Sequence, residues 1–327
     1  MKILLFNEHW NRFWTLPPEL VPRLQHDFPQ VEFRQAKSEA EVRKFLPDSE
    51  VYFGYRYVRE YLKEAKALKW IQVPAVNIHP LLNIGLAERN ILVTNSRGLL
   101  SVAIAEHVIG FMLVFSRKFL QSWRFQQMHQ YGARELLNDP PPMTELRGKT
   151  VVILGAGGIG KEVAKLSKAF GMRVLASKKH PEKLENFDVI YGAENFREAL
   201  PEADYLVLSL PRTSETDHLI GIDELSQLKS SCVLINVARA KIVDHDALIT
   251  SLKENRIRGA ALDVFEQEPL PADSVLYELP NVFLTPHTAG VDTAEHWPRM
   301  TELFVENLRR YIEGRPLRNI VNLHDGY

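Results

Sequence analysis

Short apolar runs alternate with amphipathic stretches along the whole chain, the pattern that β-α-β units produce when they are laid into a parallel sheet. In the first third the runs Lys2–Phe6, Val31–Arg34, Glu50–Gly54, Lys69–Val73 and Ile91–Thr94 predict strands. Helices are predicted between them: one opening after Pro17 and Pro18, one from Ser38 with Glu41 in capping-box position, and one over Arg59–Ala67. A second block starts at Thr150–Leu154 and continues through Arg173–Ala176, Tyr205–Leu210, Cys232–Asn236 and Gly259–Leu262. Runs this continuously apolar suit strands covered on both faces. One long helical stretch, Ser101–Met128, links the blocks and is followed by Asp139-Pro140-Pro141-Pro142, where consecutive prolines read as a stiff extended connector. Met300, Phe304, Leu308 and Ile312 recur at helical intervals and predict a further long helix near the end of the chain. The fold class is α/β, with two open parallel sheets.

At 327 residues the chain is long enough for about two domains, each with its own core. Lys and Arg total 40 against 41 Asp and Glu, a net charge of -1. No basic excess marks out a nucleic-acid binder or a polybasic membrane ligand, so the expected partner is a small molecule. The single cysteine, Cys232, permits no internal disulfide and no cysteine-rich zinc site, which fits a reducing, cytoplasmic compartment; no metal site is expected. The N-terminal MKILLF run is too short for a signal-peptide core, and no apolar stretch approaches the ~18 residues of a membrane span.

Gly155-Ala156-Gly157-Gly158-Ile159-Gly160 has the spacing GxGxxG, follows a predicted strand and precedes the amphipathic run Lys161–Phe170. In a dinucleotide-binding loop the first glycine permits the tight turn and the second lets a pyrophosphate approach the backbone. The third allows close packing of helix on strand, with the helix N-terminus facing the anion. A bare GxGxxG also reads as a flexible surface loop; the strand and helix on either side favour the nucleotide. The next strand should end at the residue that reads the adenosine ribose, commonly Asp or Glu when the cofactor is NAD. Here it ends in Ser177-Lys178-Lys179-His180. Two ammonium groups and a hydroxyl attract a 2′-phosphate that a carboxylate would repel, so NADP(H) is expected in preference to NAD(H), which stays possible. The alternative is that Lys178 and Lys179 are ordinary solvated lysines.

Three further islands follow: Leu234-Ile235-Asn236-Val237-Ala238-Arg239, Ala261-Leu262-Asp263-Val264-Phe265-Glu266-Gln267-Glu268-Pro269-Leu270, and Thr285-Pro286-His287-Thr288-Ala289-Gly290. Together with the glycine loop, with Leu68-Lys69-Trp70-Ile71-Gln72 and with Ile104-Ala105-Glu106-His107, they cover nearly the whole chain. In this order they resemble the D-isomer-specific 2-hydroxyacid dehydrogenase family, which includes glyoxylate and hydroxypyruvate reductases and phosphoglycerate dehydrogenases. The resemblance implies a flavodoxin-like substrate-binding domain over residues 1–98 and 292–327, a Rossmann dinucleotide-binding domain over 99–291, and a cleft between them. It implies reduction of a small 2-oxo acid to the D-2-hydroxy acid by hydride transfer from NADPH. By the same resemblance Arg239 binds substrate, His287 is the acid/base and Glu268 is its partner. Glu266 competes for that last role, but the family glutamate directly precedes proline, as Glu268 does. The residue types suit the chemistry: a guanidinium fork holds a carboxylate and a polarised carbonyl, and an imidazole beside a carboxylate exchanges a proton near neutral pH.

Further roles are implied residue by residue. Asp263 resembles the carboxylate that holds the nicotinamide amide; Leu210, Pro211 and Thr216 resemble the adenine and ribose wall; Val237, Ala238, Ala289 and Gly290 border the cofactor. The N–H groups of Ala75 and Val76 match the loop that grips the substrate carboxylate, although many relatives have glycine where Ala75 stands, and Ala240 and Lys241 replace a small glycine pair. Tyr55 and Arg56 either contact the variable end of the substrate or are exposed loop residues. Trp10, Trp14 and Tyr55 could shape a pocket for a bulkier side chain. His107 reads as a helix-packing histidine rather than a second catalyst. The resemblance also implies a homodimer formed through the long helix and the following arm, with Phe119, Trp123, Phe125 and Tyr131; these aromatics could instead pack within their own chain. A dinucleotide-sensing co-regulator that binds other proteins is the alternative function, disfavoured by the intact Arg239, Glu268 and His287. Formate oxidation is disfavoured because that branch uses Gln in place of the glutamate.

Overall fold

A computed structural model describes residues 1–7, 14–291 and 294–323, and every statement below concerns those residues. Trp10 lies outside them. The chain divides into two compact units, Met1–Leu99 with Asp292–Tyr327, and Leu100–Val291.

In the first unit β1 (Lys2–Leu5), β2 (Glu32–Gln35), β3 (Val51–Phe53), β4 (Trp70–Gln72) and β5 (Leu92–Thr94) form a parallel sheet in the order β2-β1-β3-β4-β5, the flavodoxin-like order. The period-two alternation of strand side chains sorts the core. Ile3, Leu5, Val51, Phe53 and Trp70 face α1 (Leu20–Asp27) and the terminal helix His296–Ile312, where Phe304 packs edge-on to Phe53 with ring centroids 4.7 Å apart. Leu4, Tyr52, Ile71 and Val93 face the other way, toward α2 (Glu39–Phe45) and α3 (Val58–Tyr61).

Ser38 caps α2 as expected, its Oγ accepting the Glu41 N–H, but the Glu41 carboxylate reaches back one residue further, to the N–H of Lys37 at 2.8 Å. The helix expected over Arg59–Ala67 is only the single turn α3. The chain then tightens into turns, with the Ala65 N–H shared between the Tyr61 and Leu62 carbonyls, as Ala65 and Leu68 are drawn into the core. On the terminal helix Met300, Phe304 and Leu308 are buried, but Ile312 is 45% exposed; Tyr311 takes the place expected for it, stacked on Trp70 at 5.3 Å.

The second unit holds β6 (Thr150–Leu154), β7 (Arg173–Lys178), β8 (Val189–Gly192), β9 (Tyr205–Leu208), β10 (Val233–Asn236), β11 (Gly259–Leu262) and β12 (Val282–Leu284). Their order, β12-β11-β10-β9-β6-β7-β8 and all parallel, is the Rossmann order carried one strand further. Its helices are α4 (Ser101–Ser116), α5 (Phe119–Gln127), α6 (Ala133–Asn138), α7 (Gly158–Ala169), α8 (Ile222–Gln227) and α9 (His245–Lys253). The terminal helix is therefore α10. Val151, Ile153, Val174, Val207 and Ile235 pack beneath α4 and α7, while Val152, Leu154, Leu206, Leu208 and Leu234 pack beneath α8 and α9.

Two strands were not expected, β8 and β12. Both lie at sheet edges, where half-exposed positions or a three-residue length leave no continuous apolar run to read. The stretch expected as one helix over Ser101–Met128 is two. The break is at Lys118, which adopts a left-handed φ of 55° and turns its buried ammonium toward the carbonyls of Leu136 and Asp139, at 2.8 and 2.6 Å. That contact ties the following arm to the helix junction. No described helix is long and apolar enough to cross a membrane.

Candidate active site

All strands are parallel, but the order in which they are added reverses between β1 and β3 in the first sheet and between β6 and β9 in the second. In open α/β sheets such reversal points are where ligands bind, beyond the carboxyl ends of the strands. The glycine loop leaves β6 at the second of them and opens α7 at Gly158. The residues fit a dinucleotide. A Cβ on Gly160 would lie 2.2 Å from the Gly155 carbonyl oxygen, so only glycine lets α7 approach this closely, whereas a Cβ on Gly157 would meet nothing within 4 Å. Gly157 thus faces an open cradle at a helix N-terminus, with the unpaired N–H groups of the first turn, including that of Ile159, behind it.

Ser177 is buried one residue before the end of β7, and its carbonyl accepts the N–H groups of Gly155 and Ala156, which ties the loop to the neighbouring strand. Lys178 is ion-paired with Glu182, and Lys179 approaches Glu215 at 3.5 Å. Both lysines therefore carry acidic partners, which the solvated alternative did not include. Leu210 and Pro211 follow β9. Thr216 does not offer a free hydroxyl: its Oγ1 donates to the Pro211 carbonyl at 2.8 Å and accepts the Thr213 N–H at 2.8 Å, closing the turn on itself.

Arg239, Asp263 and His287 follow β10, β11 and β12, three adjacent strands, so their loops emerge side by side at one end of the sheet. His287 Nδ1 lies 2.7 Å from Glu268 Oε2, and the other oxygen of Glu268 accepts the Phe265 N–H at 3.0 Å. The carboxylate is thus oriented by its own loop before it orients the imidazole. Both side chains are partly exposed, open to a small molecule. His287 itself is in the left-handed region, φ 54°, a conformation that the loop must impose.

Arg239 is half-buried, and Nη1 donates to the Ala238 carbonyl at 2.6 Å. Burial draws its pKa below the ordinary guanidinium value, opposed by the charge of Glu268. A cation that has given up much of its water for one carbonyl gains from an incoming anion. Asn236, at the end of β10, holds the turn: its Oδ1 accepts the Ala238 N–H and its Nδ2 donates to the Arg239 carbonyl, both at 3.0 Å. Ala240 and Lys241, where a glycine pair is common, form a short 3-10 turn without strain.

Asp263 was expected to hold the nicotinamide amide. Its carboxylate is 2% exposed and already accepts three hydrogen bonds, from Thr285 Oγ1 at 2.5 Å, Thr288 N–H at 2.8 Å and Ala289 N–H at 3.0 Å. What it holds in this structure is the loop on either side of His287. Val237, Ala238 and Ala289 are buried, and Gly290 sits against Leu100 and Ile104. His107, read from sequence as a packing residue, does pack on Phe111, and its Nε2 also lies 3.1 Å from Thr285 Oγ1.

In the first unit three carbonyls of the loop after β4 are held: Val73 by Ser96 Oγ, Ala75 by the Ser96 N–H and Val76 by Asn95 Nδ2. The Ala75 and Val76 N–H groups are unengaged by any described residue. Tyr55 and Arg56 follow β3 at the reversal point of that sheet, and the Arg56 carbonyl is held by the buried Tyr52 hydroxyl at 2.9 Å. Trp14 packs edge-on to His296.

Sequence reasoning passed over Asn236, Thr285, Asn95 and Ser96. The one legible sign was Asn two residues before an alanine at a strand end, which suits an Asx turn. Among the described residues no cluster of His, Cys, Asp or Glu could hold a metal. Of the arm aromatics, Phe119, Trp123 and Tyr131 are exposed, Tyr131 at 93%, while Phe125 packs on Gly132 of its own chain.

Comparison with known proteins gives a consistent answer. The family model for the D-isomer specific 2-hydroxyacid dehydrogenase NAD binding domain matches residues 109–289. A glyoxylate reductase of Aeropyrum pernix is 37% identical over 268 residues, 80% of this chain and 79% of that one. A D-3-phosphoglycerate dehydrogenase of Methanocaldococcus jannaschii is 30% identical over 90% of this chain, which spans only 56% of that protein's length. Among solved structures, a D-isomer specific 2-hydroxyacid dehydrogenase from Xanthobacter autotrophicus in complex with NADPH and MES superposes with a TM-score of 0.81 at 26% identity, covering 100% of this chain and 99% of that one. The strand orders, the glycine loop at the reversal point, the paired His287 and Glu268 beside Arg239, and these matches agree: the chain belongs to the D-isomer specific 2-hydroxyacid dehydrogenase family.

Proposed function

We propose that the protein is an NADP-preferring reductase of small 2-oxo acids of the glyoxylate and hydroxypyruvate class, yielding the D-2-hydroxy acid. NADH is the second donor. The observation that carries this reading is the 2.7 Å contact between His287 and Glu268, with half-buried Arg239 at the end of a nearby strand in the same sheet. A nicotinamide dinucleotide held at the Gly155–Gly160 loop would, when bound, supply the hydride that the ketone carbon receives. Arg239 holds the 2-oxo acid by its anionic and carbonyl oxygens, the two-pronged recognition that a lysine cannot match. His287, with Nδ1 engaged by Glu268, uses its other nitrogen to deliver the proton that the reduced oxygen requires. In the reverse direction the neutral imidazole takes the hydroxyl proton.

The unengaged N–H groups of Ala75 and Val76 are the proposed grip on the substrate carboxylate, and Tyr55 and Arg56 the contacts to its variable end. Lys178 and Lys179 exchange Glu182 and Glu215 for a 2′-phosphate, a preference supported by the relative that binds NADPH. Of the residues proposed for the substrate, Tyr55, Arg56, Ala75 and Val76 belong to the first unit and Arg239 to the second, as do the residues proposed for the cofactor. The proposed assembly is a homodimer through the arm that bears Phe119, Trp123 and Tyr131, and the proposed compartment is the cytosol, in keeping with a lone, fully buried Cys232.

A panel of 2-oxo acids assayed with NADPH and NADH in parallel tests the reading. Turnover of glyoxylate or hydroxypyruvate with the higher kcat/KM for NADPH supports it. No turnover of any 2-oxo acid, together with NADPH-dependent capture of another protein, overturns it in favour of a co-regulator. Sedimentation at a concentration-independent 37.5 kDa would overturn the dimer.

A further inference from the structure

The Thr285 hydroxyl stands between two groups, Asp263 Oδ1 at 2.5 Å and His107 Nε2 at 3.1 Å. An ionised carboxylate accepts and does not donate, so the one hydroxyl proton points at Asp263. Toward His107 the hydroxyl oxygen can then only accept, and His107 must carry its proton on Nε2. Burial lowers the pKa of this histidine, with the Asp263 charge opposing, which keeps the ring neutral with one directional donor at neutral pH. Phe111, one helical turn along α4, holds the ring edge-on at 4.4 Å between centroids and fixes its aim. Beyond Thr285, the Asp263 carboxylate accepts the N–H groups of Thr288 and Ala289, so the same chain of bonds grips the loop on both sides of His287.

We propose that His107 is a positioning residue for the reaction: through Thr285 and Asp263 it fixes the left-handed loop that presents His287 to Glu268 and to the substrate oxygen. This rests on the reading of His287 as the acid/base. The role differs from packing. A leucine fills similar space against Phe111 but leaves the Thr285 hydroxyl short of its donor and free to turn away from Asp263. A glutamine, whose amide N–H reaches close to the same point as Nε2–H, keeps the donor.

Two measurements test it. Histidine 15N–1H correlation spectra at neutral pH, with the His107 signal assigned by its loss in His107→Gln, report the tautomer without any turnover. The Nε2–H form is expected, and the Nδ1–H form overturns the relay whether or not the protein reduces a 2-oxo acid. Kinetics with glyoxylate and NADPH give the second readout. In His107→Leu kcat falls about tenfold or more, with KM for the 2-oxo acid and the NADPH dissociation constant within twofold, because a small misplacement of an acid/base group is felt in turnover. His107→Gln restores most of kcat, and Thr285→Val, which cuts both links, is at least as slow as His107→Leu. A folded His107→Leu protein with the parent kcat overturns the proposal. So does a His107→Gln protein as slow as the leucine variant, which would mark a packing role.

Discussion

Replacing Asp263 with Asn changes one atom at the point where the loop that carries His287 is anchored. The carboxylate is buried and accepts three hydrogen bonds, two on Oδ1 from Thr285 and Thr288 and one on Oδ2 from Ala289. An amide has the same outline but a single acceptor oxygen. If that oxygen stays with Thr285 and Thr288, the amide NH2 confronts the Ala289 N–H, donor against donor. In the flipped orientation two donors are confronted instead. At least one buried N–H is left without an acceptor, at a cost of about 1–3 kcal/mol. For a unit the size of Leu100–Val291, roughly 2–4 °C of Tm accompanies each kcal/mol, so melting of that unit should fall by roughly 2–12 °C. The released loop carries His287 away from Glu268, and a displacement of about 1 Å at a reacting group is worth up to roughly a hundredfold in rate. The assay pairs thermal melts followed by circular dichroism with steady-state kinetics on glyoxylate. A variant that keeps Tm within about 1 °C and kcat within about twofold would refute the claim that Asp263 anchors the loop.

His287→Ala should lower kcat for reduction by roughly a hundredfold or more while NADPH binding, followed by fluorescence, stays nearly intact; a fully active variant would reject the acid/base assignment. Arg239→Lys should weaken substrate binding and turnover together, since the charge remains but the fork is lost, and an unchanged kcat/KM would reject its substrate role. Lys178→Asp removes an attraction at the 2′-phosphate and sets a carboxylate beside Glu182, so preference should move from NADPH toward NADH by about tenfold or more; a parent enzyme that already prefers NADH contradicts the reading of that loop. Burial holds the pKa of His107 below its unfolded value near 6.5, so its contribution to stability is complete above that pH and is lost as pH falls through the lower folded value. Urea midpoints between pH 8 and pH 5 should therefore decline more steeply for the parent than for His107→Gln, and equal slopes would contradict it.

The central strands of both sheets were legible because each is an apolar run covered on two faces, and the glycine loop because part of its spacing is local, with Gly160 packed against the Gly155 carbonyl five residues earlier. The pairing of His287 with Glu268 was expected from the sequence because an imidazole and a carboxylate suit one proton transfer, and the two side chains do meet. The anchoring of those residues was not, since it depends on which strand ends meet. Leu262 pairs with Leu284 in the β11–β12 register, and that alignment alone brings Asp263 beside Thr285. Ser96 and Asn95, which hold the loop at Ala75 and Val76, are likewise about twenty residues distant in sequence and meet it only through the pairing of β4 with β5. The break at Lys118 was hidden for a similar reason: the residues on both sides favour a helix, and the carbonyls that draw the lysine inward belong to a later segment.

The first sheet has a consequence for how the protein is made. One of its faces is covered by α10, with Phe304 lodged against Phe53 and Trp70, yet α10 is translated after the entire second unit. At about 5–20 residues per second, the roughly 230 residues between Trp70 and Phe304 take roughly ten to fifty seconds to emerge. Throughout that interval Val51, Phe53 and Trp70 lack the helix that shields them, long after their own strands have left the ribosome. Nascent chains halted before Met300 should therefore present an apolar β-surface to holding chaperones, and release from the chaperone should coincide with the arrival of the last helix.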